Sequence, residues 1–242
     1  MTTLALISDV HANLEALGTV LRAVKKEHVS GILFLGDIVG YGPDPDECID
    51  LVQSVSSILV GGNHDWAAVG LTDSFSFNRY ARHAIEWTAE TLSDAHHAFL
   101  RTLPLKATVR DKNILLVHSS PIEPERWHYI SSIHDAIGYF TGFRERICCV
   151  GHSHVPFIVE RSSSGEIQGH GTYCKISKGS RYLINVGSVG QPRDGDPRAA
   201  YALMNDDEIK IKRVSYDIVI TQKKMRKAGL PEYLIDRLAV GR

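Results

Sequence analysis

Five short segments set metal-binding residue types directly behind apolar runs: Asp9-Val10-His11, Gly36-Asp37-Ile38-Val39-Gly40, Gly62-Asn63-His64-Asp65, Leu115-Leu116-Val117-His118 and Gly151-His152-Ser153-His154. A lone Asp-x-His reads as a surface turn, and a lone Gly-Asp-x-x-Gly as a tight loop. Five such segments in one chain impose a stronger constraint. Polar ligands at the ends of buried strands converge on the crevice beyond the strands' carboxyl edge, where open α/β sheets place ligands. Four histidines (His11, His118, His152, His154), two aspartates (Asp9, Asp37) and Asn63 then make a complete donor set for two metal ions, with His64 left over.

The surrounding pattern supports such a sheet. Leu4 to Ser8, Ile32 to Leu35 and Ile58 to Val60 read as buried strands. Between them, Asn13 caps a helix from Leu14 to about Lys26, and Asp44-Pro45 opens a second helix to about Val52. That alternation implies right-handed crossovers and a largely parallel sheet with helices on its faces. Two consecutive helices follow, Arg79 to Leu92 and Ser93 to Leu103, read as a helical cap inserted at about 76–104. Strand patterning resumes at Ala107–Arg110, Ile114–Val117 and Ile147–Val150. From Val155 onward, short turn-separated segments predict a second, mostly antiparallel sheet stacked on the first. A helical tail at about 217–240 ends the chain. The reading is one compact α/β domain over 1–242, with two stacked mixed β-sheets flanked by helices and a small helical cap.

Composition narrows the function classes. The chain has 242 residues with 27 Lys and Arg against 28 Asp and Glu, a formal net charge of -1. That balance gives no general attraction to nucleic acid or anionic membrane, so an anionic substrate needs a local positive site. No apolar run approaches the ~18 residues of a membrane span. The first residues lack a basic stretch and read as a strand, not a signal peptide. Cys48, Cys148, Cys149 and Cys174 form no Cys-x-x-Cys pair and read as small core side chains. A cytoplasmic setting is the expectation.

Imidazole, carboxylate and amide donors without thiolate suit manganese, iron or zinc. Glycines beside the ligands, at Gly36, Gly40, Gly62 and Gly151, let the backbone turn sharply and approach closely.

In this order the segments resemble the calcineurin-like metallophosphoesterase superfamily, with its D-x-H, G-D-x-x-G, G-N-H-D/E, H and G-H-x-H pattern running here from Asp9 to His154. Gly36 to Pro43 and Asn185 to Asp194 are similar to a bacterial branch of small phosphoesterases. The resemblance implies a four-layer sandwich and two divalent transition-metal ions, manganese favoured. One ion would be held by Asp9, His11, Asp37 and His154, the other by Asp37, Asn63, His118 and His152, with Asp37 bridging. It implies hydrolysis of a phosphate mono- or diester by a metal-bridging hydroxide. His64 would be the general acid, with Asp65 orienting its imidazole.

Substrate contacts are sought at Asn13, Asn78, Arg79 and Arg193, the arginines offering a bidentate fork to phosphate. Arg193-Asp194 alternatively pins a loop, and Asn13 alternatively only caps its helix. Gly61 stands where protein phosphatases of the superfamily carry Arg, and Gly40-Tyr41-Gly42 replaces their Asp-Arg-Gly, which counts against a phosphoprotein substrate. A catalytically weak interaction scaffold of the same fold is the rival class; His64 and the full ligand set oppose it. The missing basic stripe opposes a nuclease. A small phosphorylated partner, nucleotide-like, is expected.

Overall fold

A computed structural model describes residues 2–242. Its N-terminal part follows the strand–helix alternation: β1 (Leu4–Ile7), α1 (Leu14–Lys26), β2 (Gly31–Phe34), α2 (Pro45–Val55) and β3 (Ile58–Leu59). Asn13 caps α1 by accepting from the Ala16 amide at 3.1 Å, and Pro45 opens α2. Next come α3 (Asn63–Ala68), α4 (Arg79–Thr91), α5 (Asp94–Leu100), β4 (Lys106–Val109), β5 (Ile114–Val117), α6 (Ile133–Tyr139) and β6 (Ile147–Val150). The chain ends with β7 (Phe157–Arg161), β8 (Ile167–Gly169), β9 (Tyr173–Lys175), β10 (Arg181–Asn185), β11 (Ala199–Met204), β12 (Glu208–Val214), α7 (Ile218–Lys227) and α8 (Glu232–Arg237).

Two six-stranded sheets form, ordered β3-β2-β1-β11-β12-β9 and β4-β5-β6-β10-β7-β8. β1 pairs parallel with β2 and antiparallel with β11, and β10 pairs parallel with β6 and antiparallel with β7. Both sheets are therefore mixed. This corrects the expectation that everything after Val155 forms one separate sheet: β11, β12 and β9 extend the N-terminal sheet, while β7, β8 and β10 extend the other. The register explains the split. β1 is buried on both faces, so its second edge needs a partner for its backbone groups, and β11 supplies one with Leu4 opposite Met204. Local patterning does not carry that choice.

Alternation along each strand sorts the layers. Leu6, Leu33 and Leu35 meet Leu116, Cys149, Ile158 and Ile184 between the sheets. Ala5, Ile7 and Phe34 face Leu17, Val20, Ile49 and Val52 of α1 and α2. On the far side, Val117, Cys148 and Val150 pack with Ala136 of α6 and with Phe140, which caps its C-terminus. The adjacent Cys148 and Cys149 thus point to opposite faces of one strand. All four cysteines are free and buried, as packing residues should be. α4 packs on α7 and α8 through Ala81, Ala84, Met225 and Leu234, and α5 joins the core under the first sheet through Leu100. No helix among the described residues is long and apolar enough to cross a membrane.

β1, β2 and β3 run parallel in one sheet, and β5, β6 and β10 in the other. Their carboxyl ends carry Asp9, Asp37 and Asn63 from the first sheet and His118 and His152 from the second.

Candidate metal centre

Cross-links between the strand-end loops draw these residues together. The Asp9 amide donates to Gly36 O and the His11 amide to Asp37 O, both at 3.0 Å. Asp9 Oδ2 accepts from the His152 amide at 3.1 Å, and Asp37 Oδ1 from the His64 amide at 2.8 Å. Five of the predicted ligands, Asp9, His11, Asp37, His152 and His154, have backbone φ between 49° and 64°. That left-handed region is uncommon for non-glycine residues, and the surrounding hydrogen bonds are what maintain it.

Gly62 makes the closest approach possible. A Cβ at this position would collide with Asp37 Oδ1 and come within 2.5 Å of the Asp37 amide nitrogen. We therefore expect Gly62→Ala to destabilise the fold by about 1–3 kcal/mol and to displace Asp37. Thermal denaturation with metal analysis checks this, and an alanine variant with unchanged melting and metal content would contradict the packing.

The side chains form one buried cluster. Asp9 Oδ1 lies 3.1 Å from His154 Nε2 and 3.7 Å from His11 Nε2. Asp37 Oδ2 lies 3.2 Å from His118 Nε2 and 3.6 Å from His11 Nε2. Three ligand-atom groups result: Asp9, His11 and His154; His11, Asp37 and His64; and Asp37, His118 and His152. Asp37 and His11 each belong to two of them.

The donor set fits cations. His11 Nδ1 donates to Val39 O at 3.1 Å, His118 Nδ1 to Leu35 O at 2.7 Å, and His154 Nδ1 to Gln191 O. A carbonyl only accepts, so each Nδ1 carries the proton and each Nε2 presents a bare lone pair to the cluster. His11 Nε2 and His154 Nε2 then face one another at 3.1 Å, an arrangement that needs a positive charge nearby. His152 is turned the other way: its Nε2 donates to Trp127 O at 2.8 Å, leaving Nδ1 for a ligand. Asp9 Oδ1, Asn63 Oδ1 and His118 Nε2 are buried without hydrogen-bond partners, a strong sign of an ion site.

Electrostatics agree with this donor chemistry. Burial would raise the Asp9 carboxyl, yet His154, with His11 and His118, holds it well below the usual range. Asp37 is likewise lowered, burial being outweighed by His118 and His64. Burial pushes His152 and His154 down to about 3, helped at His154 by the Arg193 charge, so both imidazoles are neutral.

His64 borders the cluster, its ring 4.9 Å from His11, 4.4 Å from Tyr41 and 4.7 Å from Phe77 between centroids. Its Nδ1 is buried without a partner, beside Gly40, whose φ of +87° admits no ordinary side chain there. Burial drives its pKa well below the ordinary value against the pull of Asp37. Beyond it opens a cavity of about 410 Å³. His64, Asn63 and His152 lie at its base, with Phe77, Trp127 and Tyr129 on its walls.

Several expectations need correction. Asp65 does not orient His64: its Oδ1 accepts from the Ile38 and Val39 amides at 2.8 and 3.1 Å, and its Oδ2 from Gly62 at 3.0 Å. Sequence adjacency to His64 misled here, because α3 starts at Asn63 and sends successive side chains in different directions. Asp65 instead fixes the Gly36–Gly40 loop. Asn13 offers nothing to a substrate: Oδ1 accepts from Ala16 and Thr221, and Nδ2 donates to Gly190 and Tyr216. Asn78 lines the cavity but spends its Oδ1 capping α4. Arg79 is absent from the cavity wall and lies over the Tyr80 ring, 4.5 Å from its centroid. Arg193 is not paired with Asp194, which instead bonds Arg213; it reaches Tyr41 and Gln191 beside the cluster.

The loop carrying Trp127 and Tyr129 escaped the sequence reading. Tyr129 stacks on His152 at 4.1 Å and 21°, but the stretch shows no periodicity or motif that would reveal it.

The family model for the calcineurin-like phosphoesterase superfamily domain matches residues 2–208. The chain belongs to that superfamily. It is 43% identical to a metallophosphoesterase from Sphaerobacter thermophilus, whose crystal structure superposes with a TM-score of 0.86 over 100% of this chain and 99% of that one. It is 39% identical to an uncharacterized protein of Methanocaldococcus jannaschii, over 99% of this chain and 98% of that one. A further relative is the symmetrical bis(5'-nucleosyl)-tetraphosphatase of Proteus mirabilis, 32% identical over 47% of this chain and 43% of that one. Membership confirms the four-layer metallophosphoesterase fold, and with it comes a superfamily composed generally of hydrolases.

Proposed function

We propose that this phosphoesterase hydrolyses small phosphate mono- or diesters, nucleotide-like ones favoured, at a centre holding two divalent transition-metal ions, with manganese the favoured metal and the cytoplasm its setting. The observation that carries the reading is the pair of bare imidazole nitrogens, His11 Nε2 and His154 Nε2, facing each other at 3.1 Å beside Asp9. Asp9, His11, Asp37 and His154 would hold one ion, and Asp37, Asn63, His118 and His152 the other. When bound, such ions acidify water into a nucleophile near neutral pH and neutralise charge on phosphoryl oxygens.

The chain's own residues do the rest. Leu35 O, Val39 O and Gln191 O fix the ligand imidazoles in one tautomer, so the donor set is preorganised. His64 stands at the cavity floor as proton donor to the leaving oxygen. It is neutral as it stands, and the negative charge of an arriving phosphate favours its protonated form. The start of α4 and the Trp127–Tyr129 loop form walls that exclude water from a small substrate. The Proteus mirabilis relative, named for acting on dinucleoside tetraphosphate, supports a nucleotide-like substrate.

A panel assay with Mn²⁺ tests this, comparing nitrophenyl phosphate, bis(nitrophenyl) phosphate, cyclic nucleotides and dinucleoside tetraphosphates. Turnover of at least one ester, abolished by a chelator and restored by Mn²⁺, is expected. Protein that turns over none of them in the presence of Mn²⁺, or turns over one of them equally after metal removal, would end the proposal.

A further inference from the structure

The cavity above the cluster is walled by rings and carries little charge. Of the eleven residues that line it, four are Tyr, Phe or Trp and one, Arg126, bears a permanent charge. Arg126 is exposed and already paired, its Nε 3.1 Å from Glu123 Oε1. A phosphoryl group at the floor would lie beside Asn63, His64 and His152. The walls offer no free cation to a second anion, so whatever extends from that phosphoryl group meets aromatic surface instead. About 410 Å³ of space suits one small organic group.

Tyr129 is the wall residue best placed to receive that group. Its ring lies on His152, 4.1 Å between centroids and 21° between planes. That contact covers one face, yet the residue is 55% exposed, which leaves the other face open. Both flanks of the ring are anchored. Two residues before it, Trp127 turns left-handed at φ 55°, accepts from His152 Nε2 on its carbonyl at 2.8 Å and donates Nε1 to Thr72 Oγ1 at 3.2 Å. One residue after it, Ile130 is buried among Val117, Val150 and Phe140. A ring held in place loses little freedom on binding, which favours stacking. The segment leading into α4 adds Ser76 and Asn78 to the same lining. Asn78 uses Oδ1 for its helix cap, so its Nδ2 can still donate to a ring nitrogen or carbonyl. Stacking surface beside hydrogen-bonding groups is what a nucleobase can use; a sugar or alkyl group has no flat face to stack.

We infer that Tyr129 is a specificity-determining residue whose open face stacks on the base of a nucleotide, so that nucleotides are preferred to sugar phosphates with the same scissile bond. The inference rests on the proposed hydrolase reading and adds to it the group by which the substrate is told apart.

The test uses the full-length, Mn²⁺-loaded protein and its Tyr129→Leu and Tyr129→Phe variants. The readout is the ratio of kcat/KM for adenosine 5'-phosphate to that for ribose 5-phosphate, two monoesters that share the leaving oxygen and differ by the base. The wild type should favour the nucleotide about tenfold, and Tyr129→Leu should erase most of that preference, mainly through KM. Tyr129→Phe keeps the ring and should keep the preference. A wild type without the preference, an unchanged ratio in Tyr129→Leu, or an equal loss in Tyr129→Phe overturns the inference and leaves the hydrolase reading intact. A parallel fall on both substrates with loss of metal also overturns it, because the ring would then serve His152 and not the substrate. Should neither monophosphate be cleaved, calorimetric binding of the same two compounds to the wild type and Tyr129→Leu decides the base site alone, equal affinities counting against it. A wild type inactive on every ester of the panel would bring down the hydrolase reading separately. Melting temperatures of the variants separate a lost contact from a lost fold.

Discussion

Asp37→Asn is expected to lower kcat/KM on the order of a thousandfold and to deplete both metal sites. The carboxylate is the hinge of the cluster: its Oδ2 lies 3.2 Å from His118 Nε2 and 3.6 Å from His11 Nε2, joining two ligand groups. Its Oδ1 accepts the His64 amide and so also places the first turn of α3. Asparagine preserves size but removes one negative charge of the two, and a Lewis-acid centre contributes several kcal/mol of charge stabilisation. Metal analysis by plasma mass spectrometry alongside steady-state kinetics is the measurement. A variant that keeps two ions per chain and a tenth of the turnover would show that Asp37 does not bridge. Loss of one ion alone would make it a terminal ligand.

The second large effect is expected at His64. His64→Asn should cut kcat by roughly a hundredfold to ten-thousandfold while metal content stays at the wild-type level. The loss should be greatest for alkyl esters, whose poor leaving groups need a proton, and smallest for nitrophenyl esters. This contest is a real one, because a ring nitrogen of His64 also lies within 4.8 Å of ligand atoms of His11 and Asp37. Ion loss in the variant would assign His64 to the metal shell. A uniform loss across leaving groups with metal retained would make it a substrate-positioning residue.

How much of this was legible beforehand depended on range. Asp9, His11, Asp37, Asn63, His118, His152 and His154 stand close behind strands, so finding the strands located the residues that the fold brings to one sheet edge. The capping role of Asn13 and the Pro45 helix start were readable because a cap acts within one turn. Asp65 failed because its partners, the Ile38 and Val39 amides, lie 27 and 26 residues away. The alternative in which Arg193-Asp194 together pin a loop gives way, because Asp194 bonds Arg213, 19 residues on. The sheet partition failed likewise, since β1 and β11 meet across the length of the chain.

By itself the order of residues determined the chemistry: which donors are available, that they are nitrogen and oxygen donors without thiolate, and that they sit at strand ends that meet once the strands align. Those properties follow from residue type and local periodicity. Only the tertiary structure decided tautomers and neighbours. Val39 O, Leu35 O and Gln191 O direct protons to the outer imidazole nitrogens. A loop without motif sets Trp127 O against His152, and the segment after α8 is tied at Gly241 to the Arg193 loop by the Gly195 amide. Hydrogen bonds and charges act over a few ångströms of space whatever their separation in sequence, so these features came into view only with the packed sheets.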